Sequence, residues 1–237
     1  MELVKVMENL KRKGYSVVEF PNAQLAAEYL NQQIDHVRVG FGGSQTLTEM
    51  DLRYSLATHN DVVVPDFHPE GVAWKDMAAA SVDTDVYLLS ANAVSEAGDI
   101  INIDGSLNRL IATLTPPKKV YYVIGINKIG GNLAEAIYRA RNTAAPKNAL
   151  RLHCKTPCAM AVIKRLESIY KDRHNGADPD DQLEWQRFIE SLSEEELSTH
   201  CYDCKSPDRI CGSMLVHFKK PTDLEAEIIL VDEPVGF

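Results

Sequence analysis

Four short apolar runs constrain this chain before anything else. They are Val37-Arg38-Val39-Gly40-Phe41, Asp61-Val62-Val63-Val64, Asp85-Val86-Tyr87-Leu88-Leu89 and Val120-Tyr121-Tyr122-Val123-Ile124-Gly125. Each is too short for a helix of ordinary length and is rich in β-branched or aromatic residues, the pattern of a strand buried on both faces. A fifth run, Tyr15 to Phe20, precedes them, and helical patterns lie between: Val4 to Lys13 closed by Gly14, a helix capped by Pro21-Asn22 and running to about Leu30, a start at Thr46 to Met50, and roughly Trp74 to Ser81. Strands alternating with helices predict βαβ units and a mostly parallel sheet. Open sheets of that kind bind ligands beyond the carboxyl ends of their strands.

The segments following the runs carry the candidate chemistry. After the first comes Gly42-Gly43-Ser44-Gln45-Thr46. Glycines there let a backbone approach an anion, with Ser44 and Thr46 adding hydroxyls; equally, the loop is a tight turn capped by Ser44. It has neither the dinucleotide fingerprint nor the phosphate-loop lysine, so it specifies no nucleotide. After the third run, Ser90 to Arg109 brings together Asn92, Glu96, Asn102, Asp104, Gly105, Asn108 and Arg109. Ala97-Gly98-Asp99 turns the chain, and Asn102 and Asp104 then alternate with Ile101 and Ile103, placing the polar pair on one face of a short strand. Glu96 and Asp104 are the carboxylates placed for acid–base work. A helix follows from about Ser106 to Leu114, stopped by Pro116-Pro117. After the fourth run come Asn127 and Lys128; a lysine there neutralises an anionic substrate or acts as an electrophile if buried. Gly130-Gly131-Asn132 caps a helix from Leu133 to Asn142.

Net charge of −9 over 237 residues argues against nucleic acid as a partner and supplies no polybasic segment for a membrane surface. No apolar run approaches the ~18 residues of a spanning helix, and Met1 to Lys5 is charged rather than signal-like. A cytoplasmic protein is expected, and assembly of identical chains is left open.

The character changes after Pro146. Helical patterns at Ala159 to Tyr170 and Gln182 to Leu192 flank a charged stretch from Lys171 to Asp181, and Ser193 with Glu196 forms a capping box. Two β-like runs follow, Met214–Phe218 and Glu225–Val231, the last returning to the sheet. All five cysteines lie after residue 150: Cys154, Cys158, Cys201, Cys204 and Cys211. In a cytosolic chain this is no disulfide framework. Cys201-x2-Cys204 can bite one ion, with Cys158 and Cys211 completing four sulfur ligands and Cys154, His153 and His200 in reserve; spacing does not decide between zinc and an iron–sulfur cluster. His36, His59, His68, His174 and His217 show no paired spacing, and Trp74 and Trp185 read as packing residues.

These motifs, in order, resemble the lactate-utilization (LUD) domain family. The resemblance is carried by Gly42-Gly43-Ser44-x-Thr46, Ala91-Asn92-Ala93-Val94-Ser95-Glu96-x-Gly98, Asn102-Ile103-Asp104-Gly105-x-x-Asn108-Arg109, Gly125-Ile126-Asn127-Lys128-Ile129, Arg139-x-x-Asn142-x-x-Ala145-Pro146, Lys155-Thr156-Pro157-Cys158 and Cys201-x-Asp203-Cys204-x-Ser206-Pro207-x-Arg209-x-Cys211. It implies one α/β domain over residues 1–237, Rossmann-like and similar in fold to the NagB/RpiA/CoA-transferase group, with a helical and Cys-rich C-terminal elaboration. Residues 159–200 stand between the Thr-Pro-Cys motif and the later cysteines and read as a helical insertion. The resemblance further implies a place in oxidation of L-lactate to pyruvate beside an iron–sulfur oxidoreductase subunit, with a small anionic ligand at the strand ends. Two alternatives accompany it: a non-catalytic docking subunit with a structural zinc clip, using Glu194-Glu195-Glu196 and the insertion, and an enzyme of CoA-transferase or sugar-phosphate-isomerase type.

Overall fold

The computed structural model describes residues 3–66, 69–115, 119–193 and 195–237. The Pro116-Pro117 stop, His68, Glu194 and the Met1-Glu2 opening lie outside the described residues. Two compact units are present, one from the chain up to Ala140 together with Cys211–Phe237, the other Arg141–Ile210.

In the first unit a parallel sheet takes up the five predicted runs and the last. Its strands are β1 (Ser16–Phe20), β2 (Arg38–Phe41), β3 (Asp61–Val63), β4 (Val86–Leu89), β7 (Lys119–Gly125) and β9 (Ala226–Val231), in the order β1-β9-β7-β4-β2-β3. The returning strand therefore enters the middle, between β1 and β7, with Val120 opposite Ala226 and Gly125 opposite Val231. Strands β4 and β9 are buried along their whole length, and β7 from Val120 onward, which is why they read as unbroken apolar runs.

Successive side chains on β7 go to opposite faces. Val120, Tyr122 and Ile124 join Val6 and Leu10 of α1 (Leu3–Arg12) and Ala112 of α6 (Asn108–Leu114). Tyr121 and Val123 meet Leu30 of α2 (Ala23–Gln33), Leu47 of α3 (Gln45–Glu49), and Leu52 and Leu56 of α4 (Leu52–Ala57). Each such fully buried aliphatic side chain contributes about 1.5–3 kcal/mol of transfer free energy. The helix expected from Thr46 is thus two short ones, separated at Asp51, whose φ of 52° is left-handed. Helix α5 (Trp74–Val82) leads into β4.

The Asn102–Asp104 strand does not belong to the parallel sheet. Strand β6 (Ile100–Asp104) lies between β5 (Ala93–Val94) and β8 (Ser213–His217) in a separate antiparallel sheet. Asp104 sits opposite Ser213 and Ile100 opposite His217. All five β6 residues are buried, so its alternation marks chemistry and not exposure.

Chain order fixes where a crevice opens. From β2 the chain moves outward to β3, then steps back over β2 to β4, and from β4 onward it runs the other way. The segments leaving β2 and β4, which are neighbours, diverge, as at the switch point of a doubly wound sheet.

The second unit has its own core. Helix α7 (Leu133–Arg139) of the first unit continues into a π-helical turn, Ala140–Ala144, followed by α8 (Ala145–Arg151), α9 (Pro157–Arg173) and α10 (Gln182–Glu190). Thr156 caps α9 through Ala159 N, and Asp181 caps α10 through Glu184 N. Val162, Leu166, Tyr170, Phe188 and Leu192 bury one another. Trp185 stacks on Phe188 at 5.4 Å; Trp74, by contrast, is 39% exposed, its indole N–H reaching Asp66. The Ser193–Glu196 capping box forms reciprocally, at 2.9 and 3.3 Å, over a single turn.

Candidate functional site

Both diverging segments are short and polar. Gly42 N–H still donates to Leu88 O at 3.2 Å, extending the β2–β4 ladder, and Ser44 then caps α3 through Leu47 N. With five residues, α3 is too short for a helix dipole to make an anion site, so the glycine loop acts by shape. A Cβ on Gly42 would overlap Arg109 Cγ and lie 2.7 Å from its Cδ. Glycine here lets Arg109 lie across the end of β2. Beside it Gly43 is exposed, and a Cβ there would meet nothing within 4 Å.

Arg109 is itself held from β6. Its Nε donates to Asp104 Oδ2 at 3.0 Å and its guanidinium also donates to Ile103 O. The other oxygen of Asp104 accepts from Ser106 N and Leu107 N at 3.0 and 3.1 Å, fixing the turn in which Leu107 has φ 69°. Asp104 thus orients Arg109 and the start of α6. Gly105 lies in that turn, and Asn108 donates to Tyr87 Oη at 3.3 Å.

Lys128 closes the constellation. It ends the 3-10 turn Ile126–Lys128 after β7 and is 3% exposed. Its Nζ donates to Ser90 Oγ at 2.8 Å, where β4 ends, and to Thr46 Oγ1 in α3. Burial and then Arg139 lower its pKa to about 7, with Arg109 adding a lesser push downward than the upward pull of Glu49. Arg139, whose own pKa burial lowers to about 10, donates to Asn127 O at 2.7 Å and Asn92 O at 2.5 Å.

The segment after β9 packs over the same end of the sheet. Asn127 Nδ2 donates to Gly236 O at 2.9 Å, Val235 N to Asn127 Oδ1 at 3.3 Å, and Gly236 N to Glu49 Oε2 at 2.6 Å. Thr46 Oγ1 donates to Val235 O at 3.2 Å. Gly236 has φ 64°, and a Cβ there would overlap Thr46 Oγ1.

Of the residues singled out from sequence, Gly42, Gly43, Ser44, Thr46, Asp104, Gly105, Asn108, Arg109, Asn127 and Lys128 come to this end of the sheet. Asn92 turns inward, its Oδ1 accepting Ile103 N at 2.8 Å. Asn102 is buried with its Oδ1 lacking a hydrogen-bond partner among the described residues. Glu96 is not brought to Asp104: it sits in the β5–β6 turn, paired with Lys5 at 2.6 Å, the length of β6 away. Sequence reasoning missed Ser90, Arg139, Glu49 and the Val235-Gly236 segment as site residues. Arg139 stood in a quoted motif, but a helical arginine gives no local sign of turning under a neighbouring loop.

The sequence matches the LUD domain family over residues 3–231. The chain belongs to the LUD domain family. That makes it a lactate-utilization-type protein. Among curated proteins none is similar enough in sequence to match. The crystal structure of a DUF162 family protein from Deinococcus radiodurans is similar at 10% identity, with a TM-score of 0.45, covering 96% of this chain and 95% of that one. The LUD domain match runs through both units. Among the described residues no helix is long and apolar enough to cross a membrane.

In this LUD domain chain none of the five cysteines forms a disulfide, and each is partly buried. Cys154, Cys158, Cys201 and Cys204 belong to the second unit and Cys211 to the first. Burial, then Asp208 and Cys158, push the Cys154 thiol up, and Cys158 Sγ lies 3.1 Å from Thr156 Oγ1. In the Cys201–Cys204 loop, Asp203 is held by Arg141 and Arg209 at 3.3 and 3.2 Å, and its N–H donates to Cys201 Sγ at 3.4 Å. Among the described residues no three His, Cys, Asp or Glu side chains converge as a metal site.

Proposed function

We propose that this LUD domain protein is an accessory subunit of L-lactate oxidation to pyruvate and that it binds a small anion where β2, β4 and β7 end. The observation that carries this is Lys128. It is a buried amine in contact with two hydroxyls, flanked by Arg139 and Arg109. Arg109 is balanced by Asp104, whereas Arg139 donates to carbonyl groups alone among its hydrogen bonds. With Lys128 protonated, three cationic groups face Asp104 and Glu49, and that surplus in a low-dielectric site is stabilised by an incoming anion. Lys128 and Arg139 attract the carboxylate, Ser90 and Thr46 offer hydroxyls, and Asp104 keeps Arg109 in place. Titration calorimetry with L-lactate, pyruvate, inorganic phosphate and a CoA ester tests this. Saturable binding of at least one is expected, weakened about tenfold or more by Lys128→Met, the scale of losing a charge-assisted hydrogen bond. Binding unchanged by that substitution counts against the proposal.

A second reading, partner docking, is favoured by a groove of about 950 Å³ in the second unit, lined by Leu166, Tyr170, Trp185, Ile189 and others. Co-purification with an iron–sulfur oxidoreductase subunit, with and without residues 159–200, separates the two; partner binding that survives the deletion removes this one.

A further inference from the structure

We propose that the strand-end site takes up one proton with each anion it binds, and that Lys128 is the group that holds that proton. This rests on the anion site proposed above and adds what the site does to its ligand's pH dependence. Lys128 is 3% exposed, so water does little to solvate an ammonium there. Its two hydrogen-bond partners, Ser90 Oγ and Thr46 Oγ1, serve a neutral amine as well as a charged one.

The charged groups that bear on it come from three helices. Arg139 on α7 and Arg109 on α6 repel a positive charge, while Glu49 on α3 attracts it. Glu49 is engaged with the Gly236 amide, and Asp104, the nearest other carboxylate of the constellation, is engaged with Arg109 and the Ser106-Leu107 amides. Tyr87 and Tyr121, from β4 and β7, stay protonated through neutrality because burial raises both. With no anion present the neutral amine is therefore the favoured form above about pH 7, in line with the lowered pKa of about 7.

An anion beside Nζ reverses the balance. It supplies the missing negative charge in a medium where charges interact strongly, and the ammonium becomes the favoured form. Linkage then requires the converse: above the free lysine's midpoint, anion affinity falls about tenfold per pH unit until the bound midpoint is passed. Below about pH 7 lysine is already charged and affinity is flat with respect to this group.

Lysine labelled with 13C at Cε reports this directly by NMR titration, the Lys128 resonance being assigned by its loss in Lys128→Met. If that variant does not fold, calorimetry of the wild type in buffers of unlike ionisation enthalpy reads the same proton. The probes are pyruvate and inorganic phosphate. The expected result is a midpoint near 7 without probe and at least two units higher with a probe that binds, matched by uptake of most of one proton, about 0.8, at about pH 8. A lysine that stays charged through about pH 9 without probe overturns the inference and leaves the anion site standing, as does binding at about pH 8 with no proton uptake. A midpoint near 7 that neither probe moves, with no heat of binding, overturns both the anion site and the inference.

Discussion

At the scale of single residues, Lys128 sets the clearest expectations. Its lowered pKa means that between about 7 and the ordinary 10.5 the unfolded chain holds a proton that the folded one does not. Stability therefore rises with pH across that window, and below it the cost of burying the charge is fully present, roughly 5 kcal/mol at most from the size of the shift. Lys128→Met is expected to raise stability most below about pH 7 and to lose that advantage toward pH 10, which urea denaturation at a series of pH values measures. Gly42→Ala should displace Arg109, costing about 1–3 kcal/mol as overpacking does and weakening anion binding beyond that; a variant that melts like wild type and binds unchanged would show that Arg109 has room. Lysine at a strand end was legible from sequence because the strand before it is so apolar. Its burial was not, since that depends on Ser90, Thr46 and Val235, which come from three other stretches. Ser90 itself sat at the edge of the stretch singled out, but a serine after a strand carries no distinguishing local pattern.

At the scale of elements, the individual strands announced themselves, whereas which sheet each one joins did not. Strands β4 and β7 read correctly as continuous apolar runs. The three-stranded sheet was invisible because Ile100–Asp104 pairs with Ser213–His217, more than a hundred residues on, and no local period encodes so distant a partner. The split between α3 and α4 was hidden for another reason: Asp51 in a left-handed conformation ends a helix without glycine or proline to mark it. The segment after β9 is tied down by Asn127, which both donates to Gly236 O and accepts from Val235 N, together with Glu49 and Thr46. Asn127→Ala is expected to cost about 1–3 kcal/mol for the groups left unpaired and to speed amide exchange at Val235 and Gly236; unchanged protection there would place the anchoring elsewhere. In the second unit, Leu166→Ala empties part of a small core and should cost about 2–5 kcal/mol, read as faster exchange along α9 and α10.

At the scale of the molecule, composition and site charge point in opposite directions. The chain carries a net −9, yet the groups converging at the end of the sheet are mainly cationic, so the bulk charge hid the site's polarity. What did lead there was topology: alternating strands and helices imply a switch point, and the loops after β2 and β4 meet at it. The cysteines are a separate matter. Their clustering in sequence suggested one centre, and in the fold Cys201 and Cys204 flank Asp203, which Arg141 and Arg209 hold. The central claim is that the strand-end site is an anion site built on Lys128. Calorimetric titration of pyruvate and inorganic phosphate into wild type and Lys128→Met at about pH 6.5 tests it most directly, below the pH at which the free lysine loses its charge. The account predicts saturable binding of at least one of them to wild type and a loss of about tenfold or more in the variant. Equal affinity in the two proteins, or binding to neither, would contradict it.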